Sequence, residues 1–400
     1  MVSIPTDTVA LTEQQRLVAN SIRNICDDFD DAYWREHDET GTYPTEFAEA
    51  LADGGWFGIL IPEKYGGGGM GTPETVAMFE EIAANGGGFS AAQAVHGSIY
   101  TSSPIVRYGS DSLKEEYLPK FAAGEASVQA FGLTEPNAGS DSTSMETIAV
   151  RDGDEYVING QKIWISRVDQ SDYILLMART TPKSEVEKRT RGISMFLVDI
   201  ERVQEAGQLS MDKIPKTASN FVHSFQLYLE DLRVPTDHLV GEEGAGFYQM
   251  LDGLNEERLV IAAECIGLGE LAVDRGVEYA SEREVFERPI GQNQAIQHPL
   301  AEAHTRVQAA KAMTYSAAGQ VDDDDSSVGA RANMAKYLAA DAAFEAADAA
   351  VQTHGGFGVA REYDVERYFR EARLTRLVPI AQELVLNYVG EQVLGLPRSY

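Results

Sequence analysis

The chain has 400 residues, 44% of them hydrophobic, so it is long enough to bury a large core divided among two or three domains and is not a single small module. Its 63 acidic and 33 basic residues give a net charge of −30, which disfavours binding to nucleic acid or to anionic membranes. No window approaches the roughly 20 apolar residues of a membrane span, and the N-terminus lacks a signal-peptide pattern, so we expect a cytoplasmic protein.

The acidic residues are spread along the chain and are densest in the run Asp322, Asp323, Asp324 and Asp325. Such a surface repels itself, and salt screens the repulsion because the Debye length falls to about 3 Å at 1 M. The composition therefore predicts a halophilic protein of a salt-rich cytosol, with an ordinary acidic mesophilic protein as the alternative. We expect the melting temperature to rise with KCl concentration; an unchanged melting temperature would exclude salt adaptation.

The first part of the chain, residues 1–126, is predicted to form an N-terminal α-helical domain. Helical periodicity begins near Thr12 and alternates with Gly-rich turns such as residues 63–69. The glycines at 86–88 follow a predicted helix instead of a strand, so they do not match a dinucleotide-binding fingerprint. Cys26 and Cys265 lie far apart and are expected to be reduced core residues, and no clustered Cys and His residues predict a metal site.

Residues 127–238 are predicted to form a central antiparallel β-barrel or sandwich. The chain here shows short β-rich runs separated by turn residues, with no helical pattern between them, which excludes a parallel nucleotide-binding sheet. The runs are Glu155–Ile158, Tyr173–Met177, Ile193–Val198 and Phe225–Leu229. A helical pattern returns near Gly246, and its long Ala-rich stretches predict a C-terminal four-helix bundle over residues 239–400.

Two segments stand out by composition. The segment Phe131–Asp141 is rich in small, hydroxyl and turn residues, which suits either a loop that contacts a polar ligand or an ordinary interdomain turn. The segment Gln161–Ser166 places Trp164 two residues before Ser166, and alone it would indicate barrel core. In this order the two segments resemble the signature stretches of the acyl-CoA dehydrogenases. Further stretches similar to the same family are residues 58–67, 117–124, 234–235 with 239–247, and 352–358.

The resemblance implies that FAD is the cofactor and that loop 131–141 lines the flavin. Thr134 is expected near the pyrimidine edge, and Ser140 near the pyrophosphate and the incoming CoA. Trp164 is expected to cover one ring face, and Ser166, which replaces the usual threonine of the family, to reach the N5 region. Donors on the pyrimidine side favour reduction because the reduced flavin is negatively charged. The residues implied to bind the cofactor here are Phe131, Leu133, Thr134, Gly139, Ser140, Trp164 and Ser166.

The resemblance also implies that a neighbouring subunit completes each FAD site. The family uses an Arg, a Phe three residues later and a Gln eleven residues after the Arg, followed by a second, glycine-containing stretch. Without the resemblance, Arg283 would be interpreted as a solvated charge at a helix end. With it, we expect a homotetramer, or at least a dimer. The residues that match are Arg283, Phe286 and Gln294 in the first stretch and Gln352, Gly355 and Gly356 in the second.

The catalytic base is displaced relative to most of the family. Removing a proton next to a thioester needs a positioned carboxylate, which most members carry in a stretch similar to 370–379. This chain has Pro379 at that position, followed by Ile380 and Ala381 in place of the usual Gly and Thr. A smaller group, the isovaleryl-type and long-chain enzymes, carries its base on an earlier helix just before an arginine. The stretch 254–260 resembles that arrangement and assigns the base to Glu257.

Helical geometry supports Glu257 independently. At 100° per residue, an apolar stripe includes Glu257 and Arg258, whereas Glu256 points to the opposite side and is expected to be solvated. Buried charges cost several kcal/mol unless they are paired or used, so a structural ion pair is the alternative to a base. Asn255 and Arg258 are expected to contact the pantetheine or thioester end of CoA, and Ser140 is the other expected substrate contact. The apolar members of the stripe are Leu251, Leu254, Ile261, Cys265 and Leu268.

Other residues leave alternatives open. Pro379 has no N–H to polarise the thioester oxygen, so either another N–H acts or the substrate lies differently from the family norm. His96 and His354 are interpreted as structural histidines. A basic cluster indicates either a loop that contacts the CoA phosphates or a solvated loop. The stretch from Met211 to His223 departs from the usual sequence pattern of the family. The members of the basic cluster are Lys183, Lys188, Arg189 and Arg191.

The function implied by the resemblance is oxidation of an acyl-CoA to its trans-2-enoyl-CoA, with electrons passed to an electron-transferring flavoprotein. Two alternatives remain. The missing base at the usual position makes an oxygen-using oxidase or monooxygenase on the same fold credible. The other alternative is a CoA-binding subunit without catalytic activity.

Overall fold

The structure is a computed structural model that describes residues 8–321 and 327–398. The acidic run from Asp322 to Asp325 lies outside the described residues. The first part of the chain is helical, as predicted. Its helices are α1 Glu13–Cys26, α2 Asp31–Thr40, α3 Thr45–Asp53, α4 Thr72–Ala84, α5 Gly88–Tyr100, α6 Ser103–Tyr108 and α7 Asp111–Ala122.

Helix α1 begins where the sequence predicts. The Thr12 hydroxyl accepts the N–H of Gln15 at 3.1 Å, and the Gln15 side chain accepts the N–H of Thr12 at 2.9 Å, which forms a capping box. Val18, Ile22 and Cys26 follow at a spacing of four residues and bury one face of the helix in the N-terminal core. Cys26 and Cys265 are both buried and unbridged, as expected.

The central part of the chain forms one sheet with the strand order β6-β7-β3-β2-β4-β5-β8, and β1 pairs with β4. The predicted β domain is confirmed, but the sheet is mixed, because β1 and β2 both meet β4 in parallel. The strands are β1 Ala130–Gly132, β2 Ile148–Asp152, β3 Glu155–Ser166, β4 Tyr173–Arg179, β5 Ile193–Asp199, β6 Leu209–Lys213, β7 Ser224–Pro235 and β8 Leu239–Val240.

The expectation that no helix separates these strands is wrong at one place. Helix α8, Ile200–Glu205, follows β5. The Asp199 side chain accepts the N–H of Arg202 at 2.9 Å and so caps the helix start, and Ile200 and Val203 bury their side chains in the core of the sheet. A helix of this length offers too few periods for the sequence pattern to reveal it.

The C-terminal part is helical, and α9, α10, α11 and α12 share one hydrophobic core. Helix α4 also packs against α9, where a Cβ on Gly267 would lie 2.2 Å from the carbonyl oxygen of Glu80. Among the described residues, none of the helices combines the length and the apolar character needed to span a membrane. The elements are α9 Gly246–Glu282, the hairpin β9 Glu284–Val285 and β10 Arg288–Pro289, α10 Gln294–Ala318, α11 Val328–His354, α12 Val365–Thr375 and α13 Gln382–Tyr388.

The glycine triplet at the start of α5 has a structural explanation. The buried guanidinium of Arg367 donates to the carbonyl oxygens of Gly86 and Gly87 at 2.7 and 3.1 Å. A Cβ on Gly87 would lie 2.6 Å from the Trp34 ring, so the close packing of α5 on α2 requires glycine there. The triplet therefore joins α5 to α12 and α2.

Candidate active site

Loop 131–141 and the end of β3 are held together by the main chain and by one buried lysine. The N–H of Ile163 donates to the carbonyl oxygen of Thr134 at 2.9 Å. The Lys162 ammonium is fully buried and donates to the carbonyl oxygen of Leu133 at 3.2 Å and to the Glu135 carboxylate at 2.8 Å. The two signature segments therefore lie side by side.

The ion pair between Lys162 of β3 and Glu135 holds loop 131–141 against the strand. Burial lowers the pKa of Lys162 to about 8 against the opposing influence of Glu135. The Glu135 carboxylate also accepts the backbone N–H groups of Glu146 and Thr147. Removing one partner of such a buried pair costs roughly 3 to 5 kcal/mol because the other charge is left uncompensated. This pair was not identified from the sequence. Lys162 is an even number of residues from the buried Tyr156 and Ile158 of β3, and this alternation was the available signal that it faces the core.

A β-bulge presents Trp164 outward. The register between β3 and β7 shifts between Lys162 and Ile165, and Trp164 lies in the bulge with φ 61°. A positive φ is strained for a tryptophan, and the side chain is 55% exposed. Ser166 ends β3 with its hydroxyl 3.2 Å from that of Ser224. This geometry suits the expected position of Trp164 against a planar ligand.

The start of α9 and the first residues of loop 131–141 pack against one hydrophobic cluster. Leu251 and Leu254 of α9 contact this cluster, as do Phe131 and Leu133. Glu257 follows Leu254 by nearly one helical turn. The candidate base therefore lies on a helix that shares a hydrophobic core with the candidate flavin loop.

Glu257 is partly buried and contacts His96 of α5. The Glu257 side chain is 25% exposed, and its Oε1 lies 3.8 Å from Nε2 of His96. The opposite ring nitrogen, Nδ1, lies 2.7 Å from Oε1 of the fully buried Glu264. Burial lowers the pKa of His96, but the carboxylates of Glu264 and Glu257 raise it to a net value of about 9. The carboxylate that the sequence singles out is therefore paired with a cation.

A chain of hydrogen bonds joins this group to the end of β3. The Gln93 side chain donates to Glu264 at 2.7 Å, and the buried Arg167 donates to the carbonyl oxygen of Gln93 at 2.7 Å. Arg167 directly follows Ser166, and burial lowers its pKa. Sequence reasoning did not identify Arg167, Gln93 or Glu264, because no motif marks them.

The residues beside Glu257 follow the predictions in part. Arg258 donates to the Asn255 side chain at 2.8 Å, so these two predicted substrate contacts lie together. The prediction that Glu256 is solvated is wrong, because its side chain is only 13% exposed and pairs with Arg107. Tyr100 also donates to Glu256 at 3.3 Å. Helices α5 and α6 cover this side of α9, which a helical wheel does not reveal.

The segment that carries the base in most of the family is held differently here. Pro379 is exposed, and the carbonyl oxygen of Ile380 accepts a hydrogen bond from the buried Lys336 at 3.0 Å. Burial lowers the pKa of Lys336 to about 8. The segment therefore turns a carbonyl group toward the interior of the domain.

The basic cluster folds onto the turn that follows Ser140. Lys183 donates to Ser144 at 3.0 Å, and Arg189 donates to Ser144 at 2.6 Å and to Asp141 at 2.5 Å. Hydrogen bonds from Ser144, together with Thr143 and Arg189, lower the pKa of Asp141 to about 2. These cations therefore lie beside the predicted pyrophosphate and CoA end of the loop.

The chain matches family models along nearly its whole length: acyl-CoA dehydrogenase N-terminal domain over residues 12–125, middle domain over 130–232 and C-terminal domain over 244–394. It is 38% identical over 404 residues to acyl-CoA dehydrogenase FadE12 of Mycobacterium tuberculosis, with 99% of this chain and 100% of the relative covered. The chain belongs to the acyl-CoA dehydrogenase family. It is an FAD-dependent oxidoreductase that acts on acyl-CoA.

Further similarities agree with this assignment. Cyclohex-1-ene-1-carbonyl-CoA dehydrogenase of Syntrophus aciditrophicus is 34% identical over 386 residues, which cover 96% of this chain and 91% of the relative. The structure of butyryl-CoA dehydrogenase from Megasphaera elsdenii superimposes with a TM-score of 0.89 at 29% identity, covering 96% of this chain and 99% of that chain. The predicted family and fold are confirmed.

A surface pocket of this acyl-CoA dehydrogenase lies at the far end of α9. It has a volume of about 640 Å³, and Arg283, Gly355 and Gly356 line it, together with His354. His354 stacks on Tyr279 with ring centroids 4.2 Å apart and contacts the carbonyl oxygen of Ala350, which agrees with a structural histidine. The structure thus brings together three of the six residues implied to bind a neighbour's FAD.

The remaining three lie on the surface outside that pocket lining. Gln294 and Gln352 are exposed, and Phe286 is 93% exposed at the tip of the β9–β10 hairpin. The residues present fit a dinucleotide, because a Cβ on Gly139, Gly355 or Gly356 would contact no atom within 4 Å, so the main chain there borders open space. Arg283 offers a guanidinium suited to phosphate.

Proposed function

We propose that this acyl-CoA dehydrogenase converts an acyl-CoA to its trans-2-enoyl-CoA, with Glu257 as the base. FAD, when bound, would accept the hydride that leaves the β-carbon of the substrate, while the α-proton goes to Glu257. The observation that carries the proposal is the position of Glu257, which is partly buried and lies 3.8 Å from His96. It follows Leu254 by nearly one turn on a helix that shares a hydrophobic cluster with Phe131 and Leu133. A carboxylate held in this way is suited to accept the α-proton.

The other residues of the chain have supporting roles in this proposal. Arg258 and Asn255 bind the thioester or pantetheine part of CoA, and Ser140 lies near the pyrophosphates. Trp164 and Ser166 line the flavin, with Thr134 at its pyrimidine edge. The basic loop at 183–191 supplies cations for the CoA phosphates, which the contacts of Lys183 and Arg189 beside the Asp141 turn support.

The proposal also covers the electron acceptor, the location and the assembly of the enzyme. We infer that the electrons removed from the substrate pass to an electron-transferring flavoprotein, that the enzyme is cytoplasmic, and that it assembles as a homotetramer or at least a dimer. The assembly is supported by Arg283 and the two glycines at a pocket on the surface of one chain. We place the domain boundaries at 126/127 and 238/239.

An anaerobic screen of acyl-CoA thioesters tests the proposed function. Purified protein is expected to be yellow, and at least one thioester of the screened chain lengths and branching patterns should bleach the flavin within seconds. The product should be identified as the trans-2-enoyl-CoA by mass spectrometry and comparison with standards. Protein that binds FAD and is bleached by none of the thioesters would contradict the proposal and favour the subunit without catalytic activity.

The same preparation distinguishes a dehydrogenase from an oxidase. After substrate has reduced the flavin, air is admitted and the return of flavin absorbance is followed. Slow reoxidation, accelerated by an electron-transferring flavoprotein, is the expected result. Fast reoxidation with stoichiometric hydrogen peroxide would assign the chain to the oxygen-using alternative.

A further inference from the structure

His96 bridges two carboxylates of α9. Glu257 and Glu264 are seven residues apart, which places them on the same face of the helix about 10 Å from each other. His96 of α5 lies between them, with Nδ1 2.7 Å from Glu264 and Nε2 3.8 Å from Glu257. When the ring carries both protons, Nδ1–H donates to the buried Glu264 carboxylate and Nε2–H faces Glu257.

The surroundings of His96 hold its ring in one orientation. Phe79 of α4 and Tyr100 of α5 pack against it, with ring centroids at 5.4 and 5.6 Å. The charged or titratable groups that face it are the two carboxylates of α9, the phenol of Tyr100, and Arg167 after β3, which is linked through Gln93. The second oxygen of Glu264 accepts from Gln93, so the carboxylate behind the ring is doubly anchored.

We propose that His96, braced by Glu264, is a positioning residue that places a positive charge beside the Glu257 carboxylate and directs it at the substrate. The inference rests on the proposed function, since it assigns a role relative to the base. The distance of 3.8 Å exceeds a normal hydrogen bond, so the contact between His96 and Glu257 is electrostatic. The raised pKa of His96, about 9, agrees with a ring that is cationic at neutral pH.

The sign of the pH effect follows from the charge. An adjacent cation favours the ionised carboxylate, so a base without that cation becomes protonated at higher pH. His96→Gln keeps a polar side chain and removes the charge. The rate of flavin reduction falls at low pH as the base is protonated, and we call this part of the pH profile the acid limb. In His96→Gln we expect the midpoint of the acid limb to move to higher pH by about 1 unit. At pH 6 the rate should fall by up to about tenfold, while the dissociation constant for acyl-CoA changes little.

Two further variants separate positioning from folding. Glu264→Gln removes the brace, and we expect it to shift the acid limb in the same direction by a smaller amount. The double variant should shift the limb no further than His96→Gln alone, because both changes act through one cation. His238→Gln is the matched control: His238 contacts Tyr117 and the carbonyl oxygen of Leu197 in another part of the chain, and its loss should leave the limb in place.

The outcomes distinguish this inference from the proposed function. If acyl-CoA reduces the wild-type flavin and both His96→Gln and Glu264→Gln show the wild-type acid limb, the positioning role is wrong and the base assignment stands. A merely structural role would lower the yield of yellow protein or its melting temperature without moving the limb, and it would also overturn the inference. If no thioester reduces the wild type, the proposed function and this inference fail together.

Discussion

Glu257→Gln is expected to stop the reduction of the flavin by acyl-CoA while leaving FAD and ligand binding intact. The amide has nearly the same shape as the carboxylate but does not accept the α-proton. Losing a positioned general base lowers the rate by about 10³-fold, within the usual span for such groups. Stopped-flow absorbance gives the rate of flavin reduction, and the spectral shift of the flavin on adding acyl-CoA reports binding.

Glu256→Gln is the matched control for that experiment. Glu256 is the adjacent carboxylate on α9, but it pairs with Arg107 and is covered by Tyr100. We expect its replacement to lower the melting temperature and to leave the rate of flavin reduction near that of the wild type. Retained turnover in Glu257→Gln, or an equal loss in both variants, would remove Glu257 from the role of base.

Arg283→Gln is expected to lose FAD, because it removes a guanidinium from the pocket that Gly355 and Gly356 also line. A charge-assisted hydrogen bond contributes roughly 1.5 to 3 kcal/mol, which corresponds to a fall in FAD affinity of about 10- to 100-fold. Titration of apoprotein with FAD measures the change. The flavin content of the purified variant gives a second readout.

Subunit mixing tests whether Arg283 acts on a neighbour's cofactor. Glu257→Gln and Arg283→Gln are each nearly inactive at limiting FAD. If Arg283 serves the site of the other subunit, a mixed dimer contains one intact site, so co-expression in equal amounts restores about a quarter of the wild-type activity. If Arg283 serves its own subunit, every site keeps one defect and no activity returns.

The order of domains and the four longest strands of the sheet could be predicted from the sequence. The helical periodicity that begins near Thr12 and its return near Gly246 both mark helix starts. The parallel pairing of β1 with β4 could not be predicted, because a strand of three residues carries no usable alternation. The bulge at Trp164 likewise depends on the partner strand β7 and leaves no local signal.

The site could be predicted where a motif carries it and not where tertiary contacts create it. The resemblance identified Glu257 and loop 131–141, and helix α9 and this loop pack against one hydrophobic cluster. His96 and Glu264 are separated by 168 residues, so their contact is a product of packing between α5 and α9. Glu256 was misjudged for the same reason, because the direction of a side chain on a helix does not reveal which helices cover it.

The most direct test of the account is a structure of the enzyme with FAD and an acyl-CoA analogue that resists oxidation. We expect a carboxylate oxygen of Glu257 within about 3.5 Å of the substrate α-carbon, on the face of the acyl chain opposite the flavin. A Glu257 side chain turned into solvent, or one on the same face as the flavin while another carboxylate meets the α-carbon, would contradict the assignment.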